Sequence, residues 1–232
     1  MFEREHHRRI AAVLQSLDAD ILARNACFFG GGTAMALRYG EYRESVDINF
    51  LVSSRDGYRQ LRQLLTGPQG LLAITQPGHA LQQTREMRAD QYGLRTLLLV
   101  GDVSIKFEVV LEGRIEFETP RADDRICGVA TLTPLDMATS KLLALCDRWR
   151  DDAVLSRDLI DLAMMAPSKK LLQQAIAKGQ VAYGDSVQTD LVKAIEDLRQ
   201  RPHRLDRCML DMRMNTASKA VLWGRIRALA RR

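Results

Sequence analysis

The chain has 232 residues, 46% hydrophobic and 27% charged, with 34 basic and 29 acidic residues for a formal net charge of +5. This is the composition of a folded globular protein of one large or two small domains, and the mild basicity permits a polyanionic partner without requiring one. Cys27, Cys127, Cys146 and Cys208 form no CxxC pair, "MFEREHHRRI" lacks the apolar core of a signal peptide, and no apolar run approaches the ~20 residues that span a bilayer, so a cytoplasmic protein with free thiols and no membrane partner is expected.

In chain order, "HRRIAAVLQSLDADILA" places Ile10, Val13, Leu14, Leu17 and Ile21 at helical spacing and predicts one helix. "ACFFGGG" predicts a short strand cut off by glycines, and "TAMALRYG" a helix closed by Gly40. "SVDINFLV" predicts a strand and "SSRDGYRQLRQLLTG" a helix behind good N-cap residues. "QTREMRAD", "LRTLLLVG" and "VSIKFEVVLE" are strand-like, with Gly101-Asp102 as the turn between the last two. From "TPLDMATSKLLALCDRW" the pattern turns helical, with Thr133 as N-cap and Pro134 at the first helical position. Further helices fit "VLSRDLIDLAMM", "KKLLQQAIAKG", "SVQTDLVKAIEDLRQR" and "ASKAVLWGRIRALA". The expected class is α+β: a core over residues 1–130 with a mixed sheet and flanking helices, then a helical bundle over 131–232. "RQRPHRLDR" and "WGRIRALARR" concentrate basic charge near the C-terminus, as solvated helix faces or as a nucleic-acid-facing surface.

Polar residues gather in four otherwise apolar stretches. Gly31, Gly32 and Thr33 offer backbone N–H groups and a hydroxyl to a phosphate, or form an ordinary tight turn. Asp47 and Asn49, two apart on the expected strand after Ser45, share one face; they can hold a hard cation or mark a solvated strand end. Glu108 stands among Ile105, Phe107, Val109 and Val110 and shares a face with Lys106; it binds a metal there or pairs with Lys106 on a solvated sheet face. Lys141 lies on a Leu- and Ala-rich helix, where a lysine snorkels to solvent or meets an anion. Asp158 and Asp161, behind Arg157, are neighbours on one helix face. A glycine cradle, a lysine to grip a triphosphate and same-face acids to hold magnesium are the parts of a phosphoryl- or nucleotidyl-transfer site.

"FFGGGTAMALRYGEYRESVDINFLV", "IKFEVV", "ATSKLLAL" and "SRDLIDL", in this order over residues 25–165, resemble the AbiEii/AbiGii toxin family within the DNA polymerase beta-like nucleotidyltransferase superfamily. The resemblance implies a nucleotidyltransferase core, a helical domain completing the active site, Mg2+, a nucleoside triphosphate donor, an RNA acceptor (transfer RNA) and a cognate antitoxin protein. It assigns Gly31, Gly32 and Thr33 to the phosphate turn, Asp47 and Glu108 to the metal, Lys141 to the triphosphate, and Arg157 and Asp158 to an Arg-Asp motif. Arg43 and Ser45 match polar positions that face the phosphates. The family pattern is Asp-x-Asp, and here Asn49 takes the second place. An amide oxygen can ligate magnesium but brings no charge, so weak metal affinity and slow or absent transfer are expected. Two alternatives stay open: an antitoxin that adenylylates a partner protein, which the long helical half disfavours, and a non-catalytic nucleotide-binding module.

Overall fold

A computed structural model describes residues 2–230; Arg231 and Arg232, which close the basic C-terminal stretch, lie outside the described residues. The chain divides into two units. One holds the residues up to Leu37 with Ser45–Thr133, and the other holds Arg38–Glu44 with the chain from Pro134 onward.

The first unit opens with α1 (Glu5–Ser16) and α2 (Ala19–Arg24) where one helix is expected. The break is made by Asp18, whose carboxylate accepts from the N–H groups of Asp20 (3.0 Å) and Ile21 (2.9 Å) while Leu17 is extended. An N-cap inside an apolar-periodic run starts a new helix without disturbing the period that predicts a single one. There follow β1 (Cys27–Gly30), α3 (Gly31–Arg38), β2 (Ile48–Val52) and α4 (Arg55–Thr66), the last capped by the Ser54 hydroxyl, which accepts from Gly57 N–H. The strand expected from Ser45 therefore begins only at Ile48, and Asp47 lies just before it. "QTREMRAD" yields only the two-residue strands β3 (Gln82–Gln83) and β4 (Arg88–Ala89); β5 (Gly93–Val100) and β6 (Val103–Leu111) form a long hairpin. The sheet runs β1-β2-β6-β5-β3, with β4 also on β5; β2 and β6 are parallel and the other pairs antiparallel. A small pair, β7 (Arg125–Ile126) and β8 (Val129–Ala130), closes the unit.

One face of the main sheet is the core. Ile48, Phe50, Val52, Leu94, Leu98, Ile105, Phe107 and Val109 are buried, and the rings of Phe29, Phe50 and Phe107 stack in a line at 5.6 and 5.7 Å. The period of two then sends Asn49, Glu108, Lys106 and Arg95 to the opposite face.

The second unit is helical. In it α5 (Pro134–Arg148) packs against α6 (Arg157–Met165), α7 (Lys169–Tyr183) and α8 (Ser186–Gln200). The helix expected from Val154 starts only at Arg157, because Leu155 and Ser156 are left-handed (φ 56° and 50°) after a 3-10 turn at Asp152–Val154. An unpredicted helix, α9 (Pro202–Asp211), occupies the basic stretch with Pro202 at its first turn and Leu205 and Cys208 buried. Five basic side chains in and around it are paired within the unit: Arg199 with Glu196, Arg201 and Arg204 with Asp152, Arg207 with Asp211, and Lys219 of α10 (Lys219–Ala230) with Asp206. No helix among the described residues is long and apolar enough to cross a membrane, and no disulfide joins the four cysteines.

Candidate active site

In the first unit the site is built on the junction of β1 and α3. Gly31 has φ +68°, and a Cβ there would lie 3.2 Å from Asn49 Cβ and 3.3 Å from its amide nitrogen. Only glycine accepts both the left-handed backbone and that approach. The first N–H groups of a helix have no intrahelical acceptor and sit at its positive end, so the start of α3 offers an anion hydrogen bonds and favourable potential. Thr33 is buried; its hydroxyl donates to the Asp47 carbonyl and lies 2.8 Å from Ser45 Oγ. Thr33 and Ser45 thus fasten the 45–47 segment to the start of α3. His7 completes the brace: fully buried, it accepts the Ser45 N–H at Nε2 (3.1 Å), while His6 reaches the Val46 carbonyl (3.0 Å). The assigned residues do not include His7, though its position three before Ile10 on the apolar face of α1 marks it as buried.

Asn49 pairs in register with Glu108 on the parallel strand β6, and Glu108 with Arg95 on β5. The Asn49 amide, the Glu108 carboxylate and the Arg95 guanidinium therefore stand side by side on one face. Glu108 Oε1 accepts from Arg95 Nε (3.1 Å) and Oε2 lies 2.9 Å from Lys106 Nζ, so both carboxylate oxygens are engaged. The side chain of Glu108 is 12% exposed, against 37% for Arg95 and 46% for Lys106. The Lys106–Glu108 pair is thus formed, with Arg95 added to it. Arg95 also meets Asp90 at 2.7 Å.

Asn49 and Glu108 bring an amide and a carboxylate to one face of the sheet, and Asp47 lies two residues before Asn49, just outside the strand. Among the described residues no three His, Cys, Asp or Glu side chains are placed to hold a metal by themselves. Magnesium is ordinarily held by one or two carboxylates, waters and the substrate's phosphates, so this set fits it in the company of a bound phosphate.

The helical unit gathers a second set. Asp161 is fully buried and receives Arg43 Nε (2.7 Å) and Nη2 (3.0 Å), the Tyr42 hydroxyl (2.7 Å) and Lys141 Nζ (2.6 Å). Lys141 also meets Asp158 (3.0 Å), which takes Arg148 Nε (2.7 Å) and Nη2 (3.0 Å). Burial pushes both carboxyls up. For Asp161 the guanidinium of Arg43 and the ammonium of Lys141 outweigh it, and for Asp158 Lys141 and Arg148 do, so both end below the usual carboxylate range. Burial and the neighbouring Asp161 raise the Tyr42 phenol well above its usual value. Lys141 does not snorkel; the anions it meets are these two aspartates. Arg157 is exposed, and Asp158 pairs elsewhere. Arg148, seven residues after Lys141 on α5 and therefore on the same face, carries a legible signal; Tyr42 carries none.

The assigned residues thus fall into two groups. Gly31, Gly32, Thr33, Ser45, Asp47, Asn49 and Glu108 belong to the first unit, and Arg43, Lys141, Arg157 and Asp158 to the second.

The family described as "Nucleotidyl transferase AbiEii toxin, Type IV TA system" matches residues 13–229. Two solved structures share the fold. A Helicobacter pylori chain described as a candidate nucleotidyltransferase aligns with a TM-score of 0.53 at 17% identity, over 97% of this chain and 93% of that one. JHP933 from Helicobacter pylori aligns with the same score and identity over 97% and 90%. No curated protein matches. With a family match over nearly its whole length, the chain belongs to the AbiEii nucleotidyl transferase toxin family.

Proposed function

We propose that the chain transfers a nucleoside monophosphate from a nucleoside triphosphate to an RNA acceptor, a transfer RNA, in the cytoplasm, and that a cognate antitoxin holds this activity in check. The observation that carries the reading is the Gly31 turn lying against Asn49, one strand away from Glu108. Backbone N–H groups at Gly31 and Gly32 bind the phosphates. Asp47, Asn49 and Glu108 hold Mg2+, which when bound stabilises charge on the transferring phosphoryl group. Thr33, Ser45 and His7 keep Asp47 in place through its backbone segment. With a neutral amide at Asn49 the site has one anionic ligand fewer than the family's Asp-x-Asp, and transfer is slow. A second reading, a nucleotide-binding module without turnover, draws on the same amide and on the two cations that occupy Glu108.

The test is incubation with labelled triphosphates and total RNA. Label should enter RNA, and Asp47→Ala should abolish transfer while leaving the circular dichroism spectrum unchanged. Near-normal transfer by Asp47→Ala removes Asp47 from the site. Magnesium-dependent nucleotide binding with no labelled product in any arm supports the second reading.

A further inference from the structure

The row of side chains that starts at the glycine turn does not stop at Glu108. Gly30 pairs with Asn49, Asn49 with Glu108, Glu108 with Arg95, and Arg95 with Arg88, so the row crosses five strands in register. Lys106 stands two residues before Glu108 on the same face. Arg88 and Arg95 are like charges directly opposite each other in an antiparallel pair, an arrangement that is destabilising unless an anion lies between or over them. Asp90 and Glu108 offset Arg95. Arg88 is exposed and has no carboxylate partner among the described residues.

The order of this row has a chemical meaning for nucleotidyl transfer. The attacking and leaving oxygens lie roughly in line through the transferred phosphorus. With the triphosphate on the α3 turn and the carboxylates on β2 and β6, the acceptor hydroxyl enters from the side of β5 and β4. Each strand adds about 4.8 Å, so Arg95 and Arg88 stand one and two strands beyond Glu108, with Lys106 beside Glu108 on β6, where the backbone of an acceptor strand would run.

We propose that Arg88, Arg95 and Lys106 form a phosphate-binding row for the backbone of the polynucleotide acceptor. The proposal rests on the transfer reading above. Before substrates arrive, Glu108 holds Arg95 and Lys106 with its two oxygens. A cation drawn to Glu108 frees Lys106 and leaves Arg95 with Asp90 as its one remaining carboxylate, so the same two side chains oppose metal binding and favour acceptor binding.

The test uses the whole chain and a fluorescein-labelled single-stranded RNA 12-mer, followed by anisotropy over a range of salt. Arg88→Ala and Lys106→Ala change exposed side chains and leave the core face of the sheet intact. Each should weaken binding and reduce the slope of log K against log salt by about 0.7 to 1. Unchanged affinity and slope in both variants would overturn the proposal. Arg95→Ala should weaken RNA binding and tighten Mn2+ binding measured by electron paramagnetic resonance, because Glu108 loses a competing cation. A variant that had merely lost structure would lose both, and Mn2+ affinity that is unchanged or weaker overturns the exchange. Binding of a fluorescent triphosphate is measured in parallel. Failure of the natural chain to bind it overturns the transfer reading itself, whereas intact triphosphate binding with unchanged RNA slopes overturns the cation row alone.

Discussion

Asp161 is the residue on which most charge converges. It takes the Tyr42 hydroxyl, two guanidinium donors of Arg43 and the Lys141 ammonium, with no exposure to solvent. Its carboxyl is held below the usual range despite burial, as is that of Asp158. A carboxyl depressed in the folded state stabilises the fold above its unfolded pKa, about 3.9, and that stabilisation is lost as pH falls below it toward the folded value. Asp161→Asn removes the counter-charge that Arg43 and Lys141 need in a dry environment, and should cost about 3–5 kcal/mol at pH 7. Acid should cost the natural chain more stability than the variant between pH 5 and pH 2, since one of the two depressed carboxyls is gone. Urea unfolding followed by circular dichroism at several pH values measures both effects; equal acid sensitivity would contradict the assignment. The sequence shows Asp158 and Asp161 sharing a helix face near a lone lysine, because that is local spacing. It does not show that Tyr42 and Arg43, 119 and 118 residues earlier, supply the other half of the network.

At the level of elements, the start of α3 is where conformation and chemistry coincide. Gly31→Ala would place a Cβ against the Asn49 side chain in a left-handed backbone, a conformation that costs about 1–2 kcal/mol before any clash. The expected result is a destabilisation of that order together with weaker triphosphate binding, read by urea denaturation and nucleotide titration. Full nucleotide affinity in Gly31→Ala would mean that the turn is only a turn. This element was half legible. "GGT" after an apolar run announces a strand, a turn and a helix, but the helix begins at Gly31 rather than after the glycines. β5 and β6 were plain because alternation and the Gly101-Asp102 turn agree. The start of β2 is not legible in the sequence: a polar alternation at Ser45 and Asp47 looks like a strand, whereas here Thr33 and His7 take the hydrogen bonds of the 45–47 segment. Hydrogen-bond partners from α1 and α3 leave no trace in the local period. α9 is hidden for the opposite reason, since dense basic charge masks its two buried apolar residues, Leu205 and Cys208.

For the whole molecule, the composition and the switch from mixed to helical pattern foretold an α+β chain with a helical second half. The chain divides after Thr133, and residues 38–44 go with the helical unit, a non-contiguous grouping that linear reading cannot see. That grouping separates Arg43 from its sequence neighbours Ser45 and Asp47 and gives it to Asp161. At one position of the first unit, we propose, Asn49 occupies a metal-ligand place from which a charge is missing. The most direct test is the rate of nucleotidyl transfer as a function of magnesium concentration for the unsubstituted chain and for Asn49→Asp. The restored carboxylate should lower the magnesium concentration needed and raise the rate by about a hundredfold or more, since each tenfold gain reflects about 1.4 kcal/mol at the transition state and a metal ligand can supply several. If Asn49→Asp changes neither the rate nor its magnesium dependence, Asn49 is not a ligand position and the site does not lie on this face of β2.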